Sequence, residues 1–246
     1  MALTNIQSIM VKANQMIIGV SDCSKFANYS KWIGACAQVA EVVKLDSENE
    51  NIQDLKRCHG LVLTGGEDLH PRYYGMPEYY EFCYKCDVNE KRDEFERKLL
   101  DLSQRLELPV LGICRGLQVV NAFFGGTLIP DIPRWGKFNH SKLEDGRDRI
   151  HSIQVDPNSW FFRIVQKEHG TVNSNHHQSA DRISADLVAS AFSTDGVVEA
   201  LERKEPNGKP FLCLVQWHPE RMVDQQGNFV QNIRSSFIAA AQNRIE

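Results

Sequence analysis

No apolar run in this sequence approaches the ~20 residues that span a bilayer. Its first twenty residues, MALTNIQSIMVKANQMIIGV, lack the basic start, apolar stretch and small-residue cleavage site of a secretory leader. No lysine/arginine stripe stands out. The 28 basic residues against 32 acidic ones leave a net charge of -4, which argues against nucleic acid as a main partner. Internal repeats and low-complexity segments are absent. The seven cysteines are odd in number and scattered, so they do not read as a disulfide framework and point to the reducing cytosol. These absences lead us to expect a cytoplasmic protein without a membrane segment. The hydrophobic share of 42% supports a sizeable core. One domain is expected over residues 1–246, with its core at about 16–240.

What is present is an alternation of periods. Met16–Val20, Glu41–Leu45, Gly60–Thr64 and Pro109–Ile113 are short apolar runs that read as buried strands. Between them, Tyr29–Ala40, Ile52–Cys58 and Glu90–Leu106 carry helical spacing, and Leu117–Phe124 follows as a helix. This order predicts an α/β fold, with a mostly parallel sheet and helices on both faces. Residues 67–90 read as a long irregular excursion, a feature often functional. In the second half, Ile150–Val155, Leu187–Phe192, Val197–Arg203 and Phe211–Gln216 read as strands with short connections. Asp195-Gly196 predicts an antiparallel hairpin. Asn228–Gln242 reads as a closing helix.

Cys114 sits where the strand Pro109–Ile113 gives way to a helix, between Gly112 and Gly116. The G-x-C-x-G spacing matches a nucleophile elbow with sulfur in place of oxygen. Glycines allow a tight, strained turn, and the helix N-terminus presents unpaired N–H groups to the sulfur. Read alone, the segment fits a packed inert thiol as well as a nucleophile. A nucleophilic cysteine needs a histidine within reach and commonly a carboxylate to hold that histidine. His218 and Glu220 follow the strand Phe211–Gln216 and supply both. An oxyanion also needs donors. The backbone N–H groups of Gly66, after the strand Gly60–Thr64, and of Arg115 are expected to provide them.

These residues carry a pattern. The chain resembles the class I glutamine amidotransferase superfamily and, within it, the gamma-glutamyl hydrolases, especially the gamma-glutamyl-gamma-aminobutyrate hydrolase family. The superfamily's G-x-C-x-G-x-Q and H-x-E stand here as Gly112-Ile-Cys114-Arg-Gly116-Leu-Gln118 and His218-Pro-Glu220. Narrower landmarks are Thr64–Asp68, Arg92-Asp93 with Glu96, Gly125–Leu128, Asn175–Gln178, Asp195–Ala200 and Val215–Arg221. The resemblance implies a flavodoxin-like core with an antiparallel C-terminal strand extension and a Cys-His-Glu triad. The implied reaction is hydrolysis of a gamma-glutamyl amide through a gamma-glutamyl thioester, releasing glutamate and an amine. By the same resemblance Gln118, Asn175, His176 and His177 would line the substrate pocket. Arg92, Asp93 and Glu96 are read as a structural ion network.

The chain departs from the family at Ala37–Ala40, where a glycine pair is usual, and in Tyr79–Asp87 near the presumed pocket mouth. Cys83 and Cys86 form a C-x-x-C, but a zinc site would need two more ligands, and Cys58 and His70 are near only in sequence. No metal and no cofactor are expected. The competing function is a glutaminase subunit supplying ammonia to a separate synthetase. A small-molecule gamma-glutamyl substrate and a homodimer, the commonest assembly of soluble oligomers in general, complete the expectation.

Overall fold

The computed structural model describes residues 16–85 and 87–245. Its strands are β1 (Met16–Ser21), β2 (Val39–Leu45), β3 (Gly60–Leu63), β4 (Val110–Ile113), β5 (Leu128–Ile129), β6 (Arg149–Val155), β7 (His169–Ser174), β8 (Ser179–Ala180), β9 (Leu187–Ser193), β10 (Val198–Arg203) and β11 (Leu212–Val215). The α-helices are α1 (Phe26–Gly34), α2 (Glu90–Arg105), α3 (Arg115–Phe123), α4 (Trp160–Val165) and α5 (Gln231–Gln242).

Nine strands form one sheet in the order β2-β1-β3-β4-β11-β10-β9-β6-β7. From β2 to β11 every pairing is parallel, and from β11 to β7 every pairing is antiparallel. The inner parallel strands β3, β4 and β11 are buried and carry no polar side chain in the ladder because both faces are covered, whereas the edge strand β2 exposes Glu41 and Lys44. In β3, Leu61 and Leu63 pack with Phe95 and Leu99 of α2 and Leu117 of α3. Val62 points to the opposite layer, with Trp32 and Ile33 of α1 and Ile233 and Phe237 of α5. The parallel half has the strand order of a flavodoxin-like sheet, in which ligands bind beyond the carboxyl ends of the strands.

The structure alters several sequence readings. α1 stops at Gly34 rather than Ala40, and Val39-Ala40 begin β2. Glycine is a poor helix residue, and Val39 finds a sheet partner in Met16. The excursion at 67–90 contains two 3-10 turns, Pro71–Tyr74 and Pro77–Phe82. The antiparallel part is larger than expected because β7, HGTVNS, is too polar to read as a strand. α4 is capped from afar. Glu202 accepts from the Trp160 and Phe161 N–H groups at 2.9 and 2.6 Å, beside the local Ser159 cap. The Asp195-Gly196 hairpin joins β9 to β10, with Gly196 at φ +78. Among the described residues no helix is long and apolar enough to cross a membrane. The expectations for residues 1–15 and Cys86 lie outside the described residues.

Candidate active site

Cys114 joins β4 to α3 with φ +53 and ψ -106. That region is disfavoured for any residue with a Cβ, and strain of this kind costs about 1–3 kcal/mol. The surroundings hold it there. The Cys114 N–H donates to the Val215 carbonyl at 2.8 Å, and the Cys114 carbonyl accepts from the Leu117 N–H at 3.0 Å. A Cβ on Gly116 would lie 2.4 Å from the Leu63 carbonyl oxygen, so α3 can begin this close to β3 only with glycine there.

His218 lies just beyond β11, at the same sheet edge. Its buried ring places Nδ1 3.0 Å from Glu220 Oε1 and 3.2 Å from the Tyr29 hydroxyl. Asn173 grips its main chain from both sides. The His218 N–H donates to Asn173 Oδ1 at 3.0 Å, and Asn173 Nδ2 donates to the His218 carbonyl at 3.0 Å. Gly65 packs between ring and thiol: a Cβ there would stand 2.8 Å from His218 Cε1 and 3.4 Å from Cys114 Cβ. Burial works against charge on the ring. The Glu220 carboxylate and the adjacent Cys114 sulfur outweigh it and raise the His218 pKa to about 10. Both neighbours thus favour the protonated ring.

After β3 the chain runs Thr64-Gly65-Gly66. The Gly65 N–H donates to the Tyr29 hydroxyl at 3.0 Å. Among the described residues the N–H groups of Gly66 and Arg115 donate to no backbone or side-chain acceptor. Both amides are positioned by ions. Arg92 Nη2 donates to the Gly65 carbonyl at 2.9 Å and to Thr64 Oγ1 at 3.0 Å. The Arg92 guanidinium pairs with Glu96 and Glu67, and that of Arg115 pairs with Asp93 and Glu96. Arg92, Asp93, Glu96 and Arg115 are all buried. Breaking such a pair by removing one partner costs about 3–5 kcal/mol, so the network fastens α2 to the glycine turn and to the start of α3. Arg115 and Glu67 complete the network, and the sequence reading included neither.

A cavity of about 300 Å³ is lined by Cys114, Gly66, Gln118, Asn175, His176 and His177. Gln118 Nε2 donates to the Gln178 carbonyl at 3.0 Å and lies 3.3 Å from Gln216 Oε1, so its amide nitrogen is engaged within the chain. Asn175 Oδ1 accepts from the Lys142 N–H at 3.2 Å. The two histidines serve different ends. His177 Nε2 meets Asp68 Oδ1 at 2.7 Å, and its ring stacks on Tyr84 at 3.6 Å. His176 turns away toward His140, His151 and Glu199. The rim is acidic, with Glu67, Asp68 and Asp87 facing a single lysine, Lys142. Burial, with Asp68 and Glu67 nearby, raises the Asp87 pKa above its ordinary value. A larger cleft of about 520 Å³, by Gln104 and Arg203, contains no cysteine or histidine.

Sequence reasoning missed Tyr29 and Asn173, which hold His218, and the group around Glu199. Tyr29 reads as one more apolar position of α1, and Asn173 lies in the strand too polar to be recognised. Of the C-x-x-C, Cys83 Sγ lies 4.0 Å from Gln178 Nε2 at the cavity rim, and Cys86 lies outside the described residues. Cys58 packs against β1 and His70 faces Glu90, so neither joins Cys83.

Comparison with known protein families matches residues 4–220 to peptidase C26. A Rickettsia prowazekii protein named "Putative glutamine amidotransferase-like protein" is 31% identical over 80% of this chain and 82% of its own. The gamma-glutamyl-gamma-aminobutyrate hydrolase of Escherichia coli O157:H7 is 28% identical over 78% of this chain and 76% of its own. The glutaminase domain of Trypanosoma brucei CTPS, solved with bound acivicin, superposes with a TM-score of 0.63 at 16% identity. The match covers 93% of this chain and 94% of that one, and at that identity it speaks for the fold alone.

Proposed function

The chain belongs to the peptidase C26 family, class I glutamine amidotransferase-like, and from that premise we propose that it hydrolyses gamma-glutamyl amides with Cys114 as nucleophile. The observation that carries this reading is the strained Cys114 beside His218, whose Nδ1 is held by Glu220 at 3.0 Å. With Nδ1 so occupied, Nε2 is the nitrogen that exchanges protons with the sulfur and the substrate.

The Cys114 sulfur attacks the gamma-carbonyl carbon. The resulting oxyanion is received by the N–H groups of Gly66 and Arg115, which have no protein acceptor of their own among the described residues. His218 gives its proton to the departing amine as the carbon–nitrogen bond breaks, leaving a gamma-glutamyl thioester. Neutral His218 then takes a proton from water, whose oxygen attacks the thioester. Glutamate leaves, and the proton returns the ring to the imidazolium. Because the ion network fixes both amides before substrate arrives, the oxyanion site needs little reorganisation in the transition state.

Asp87 at the rim, beside Asp68 held by His177 and Glu67 held by Arg92, favours substrates whose outer part carries a positive charge. Incubation of the purified protein with glutamine and with a panel of gamma-glutamyl amines, dipeptides and folates tests the reading. Release of glutamate and the matching amine, absent in Cys114→Ala, is the expected result. Ammonia released from glutamine only with a synthetase present, and no action on the amines, would replace it with the glutaminase function.

A further inference from the structure

His140, His151, His176 and Glu199 converge although they lie far apart in the sequence. His140 belongs to the loop before β6, His151 to β6, His176 to the turn after β7 and Glu199 to β10. Their ligand atoms all lie within 4.8 Å of one another. His140 Nδ1, His151 Nε2 and His176 Nε2 stand 3.5, 3.4 and 3.7 Å from Glu199 Oε1. These separations exceed normal hydrogen bonds. All three nitrogens and both Glu199 oxygens are buried without a hydrogen-bond partner. Glu199 is fully buried, and His140 and His176 nearly so. Leaving that many polar atoms unpaired costs about 1–3 kcal/mol each, unless something fills the space between them.

The outer nitrogens say what fills it. His140 Nε2 lies 3.2 Å from both Asp195 oxygens, His176 Nδ1 lies 3.0 Å from the Gln178 carbonyl, and His151 Nδ1 lies 3.3 Å from the Ser152 carbonyl. Each outer nitrogen faces only an acceptor, so it carries the ring proton and the inner nitrogen turns a lone pair to the centre. Metal-bound histidines are held in this way. Donors placed tetrahedrally at about 2.0–2.1 Å from a zinc ion are about 3.4 Å apart, close to the three measured separations.

We infer that His140, His151, His176 and Glu199 bind one four-coordinate divalent transition metal, zinc by its donor set. The protein fills all four positions, so the ion's role is structural. It ties β6 and β10 to the turn Asn175–Gln178, which walls the Cys114 cavity. The ion takes no part in the thioester chemistry, and its presence does not depend on that reading.

Metal content and cobalt spectroscopy test this on the full chain, carrying no histidine tag and expressed with zinc. Mass spectrometry should find one zinc per chain. After chelation, added Co²⁺ should give the strong visible bands of a tetrahedral site, and added ZnCl₂ should raise Tm. Cys114→Ala should bind the same amount, excluding the nucleophile's sulfur as a ligand. His151→Ala and Glu199→Gln should lose stoichiometric zinc, and Asp195→Asn should weaken binding about 10–100-fold. A chelated parent chain showing neither cobalt bands nor a Tm rise with ZnCl₂ would overturn the inference, as would unchanged binding in folded His151→Ala and Glu199→Gln. Should those two variants fail to fold, the cobalt spectrum and Tm of the parent chain decide it.

Discussion

The Tyr29 hydroxyl lies 3.2 Å from His218 Nδ1 and accepts the Gly65 N–H at 3.0 Å. One side chain of α1 thus touches both the proton carrier and the turn that ends in Gly66. Tyr29→Phe removes that link and leaves the Gly65 N–H buried without an acceptor, which costs about 1–3 kcal/mol. We predict a lower Tm and a kcat reduced by about tenfold to a hundredfold, with KM little changed, because the loss is in alignment rather than substrate contact. Steady-state kinetics on the best gamma-glutamyl amine would show it. An unchanged kcat would mean that Glu220 and Asn173 hold His218 unaided.

The backbone at Cys114 yields a prediction separable from its chemistry. Cys114→Ala and Cys114→Gly should both be inactive. At φ +53 and ψ -106 alanine keeps the steric penalty of a Cβ, while glycine escapes it. Although glycine usually weakens folded proteins, Cys114→Gly should be the more stable of the two by about 1 kcal/mol. Urea unfolding of both variants measures the difference. A less stable glycine variant would show that the turn is not strained in solution.

The cysteines should differ sharply in reactivity. Burial raises the thiol pKa of Cys23 and Cys36, lifts Cys58 and Cys83 to about 12, and raises Cys213 further. Cys114 instead lies beside His218 at a helix N-terminus, the setting of a reactive sulfur. Limited iodoacetamide near neutral pH should label Cys114 first, and activity should fall in step with that label. Mass mapping that finds another cysteine modified ahead of it would refute the pairing with His218.

Local pattern explains what could be read from the sequence. Buried parallel strands are apolar at every position, so β1, β3, β4 and β11 are legible. Cys114, His218 and Glu220 each follow such a strand, and the sheet order brings those ends together. Interactions between distant segments are not legible in the same way. Tyr29 acts on His218 across 189 positions, and Asn173 holds it from a strand with few apolar residues. The His-Glu group has no spacing signature because four separate segments supply it. Asn175–Gln178 could be recognised as a motif, yet nothing in it shows that His176 and His177 point to different partners.

Glu220→Gln tests the electrostatics of His218. An unfolded His218 titrates near its ordinary 6.5, and the folded one at about 10. The folded chain therefore holds a proton that the unfolded chain releases between those values. The stability this group contributes is complete below pH 6.5 and is lost as pH rises through about 10. Tm of the parent chain should fall over that window. In Glu220→Gln the carboxylate no longer favours the charged ring, so the pKa of His218 drops and the dependence on pH flattens. The same shift reaches catalysis, because the departing amine needs the imidazolium as acid. In the parent, kcat/KM should decline as pH approaches 10, and in Glu220→Gln the decline should begin at lower pH. The variant should also be slower at neutral pH, since a neutral ring cannot protonate the amine. Matching pH profiles for the two proteins would remove Glu220 from the proposed mechanism and leave Tyr29 and Asn173 as the groups that position the ring.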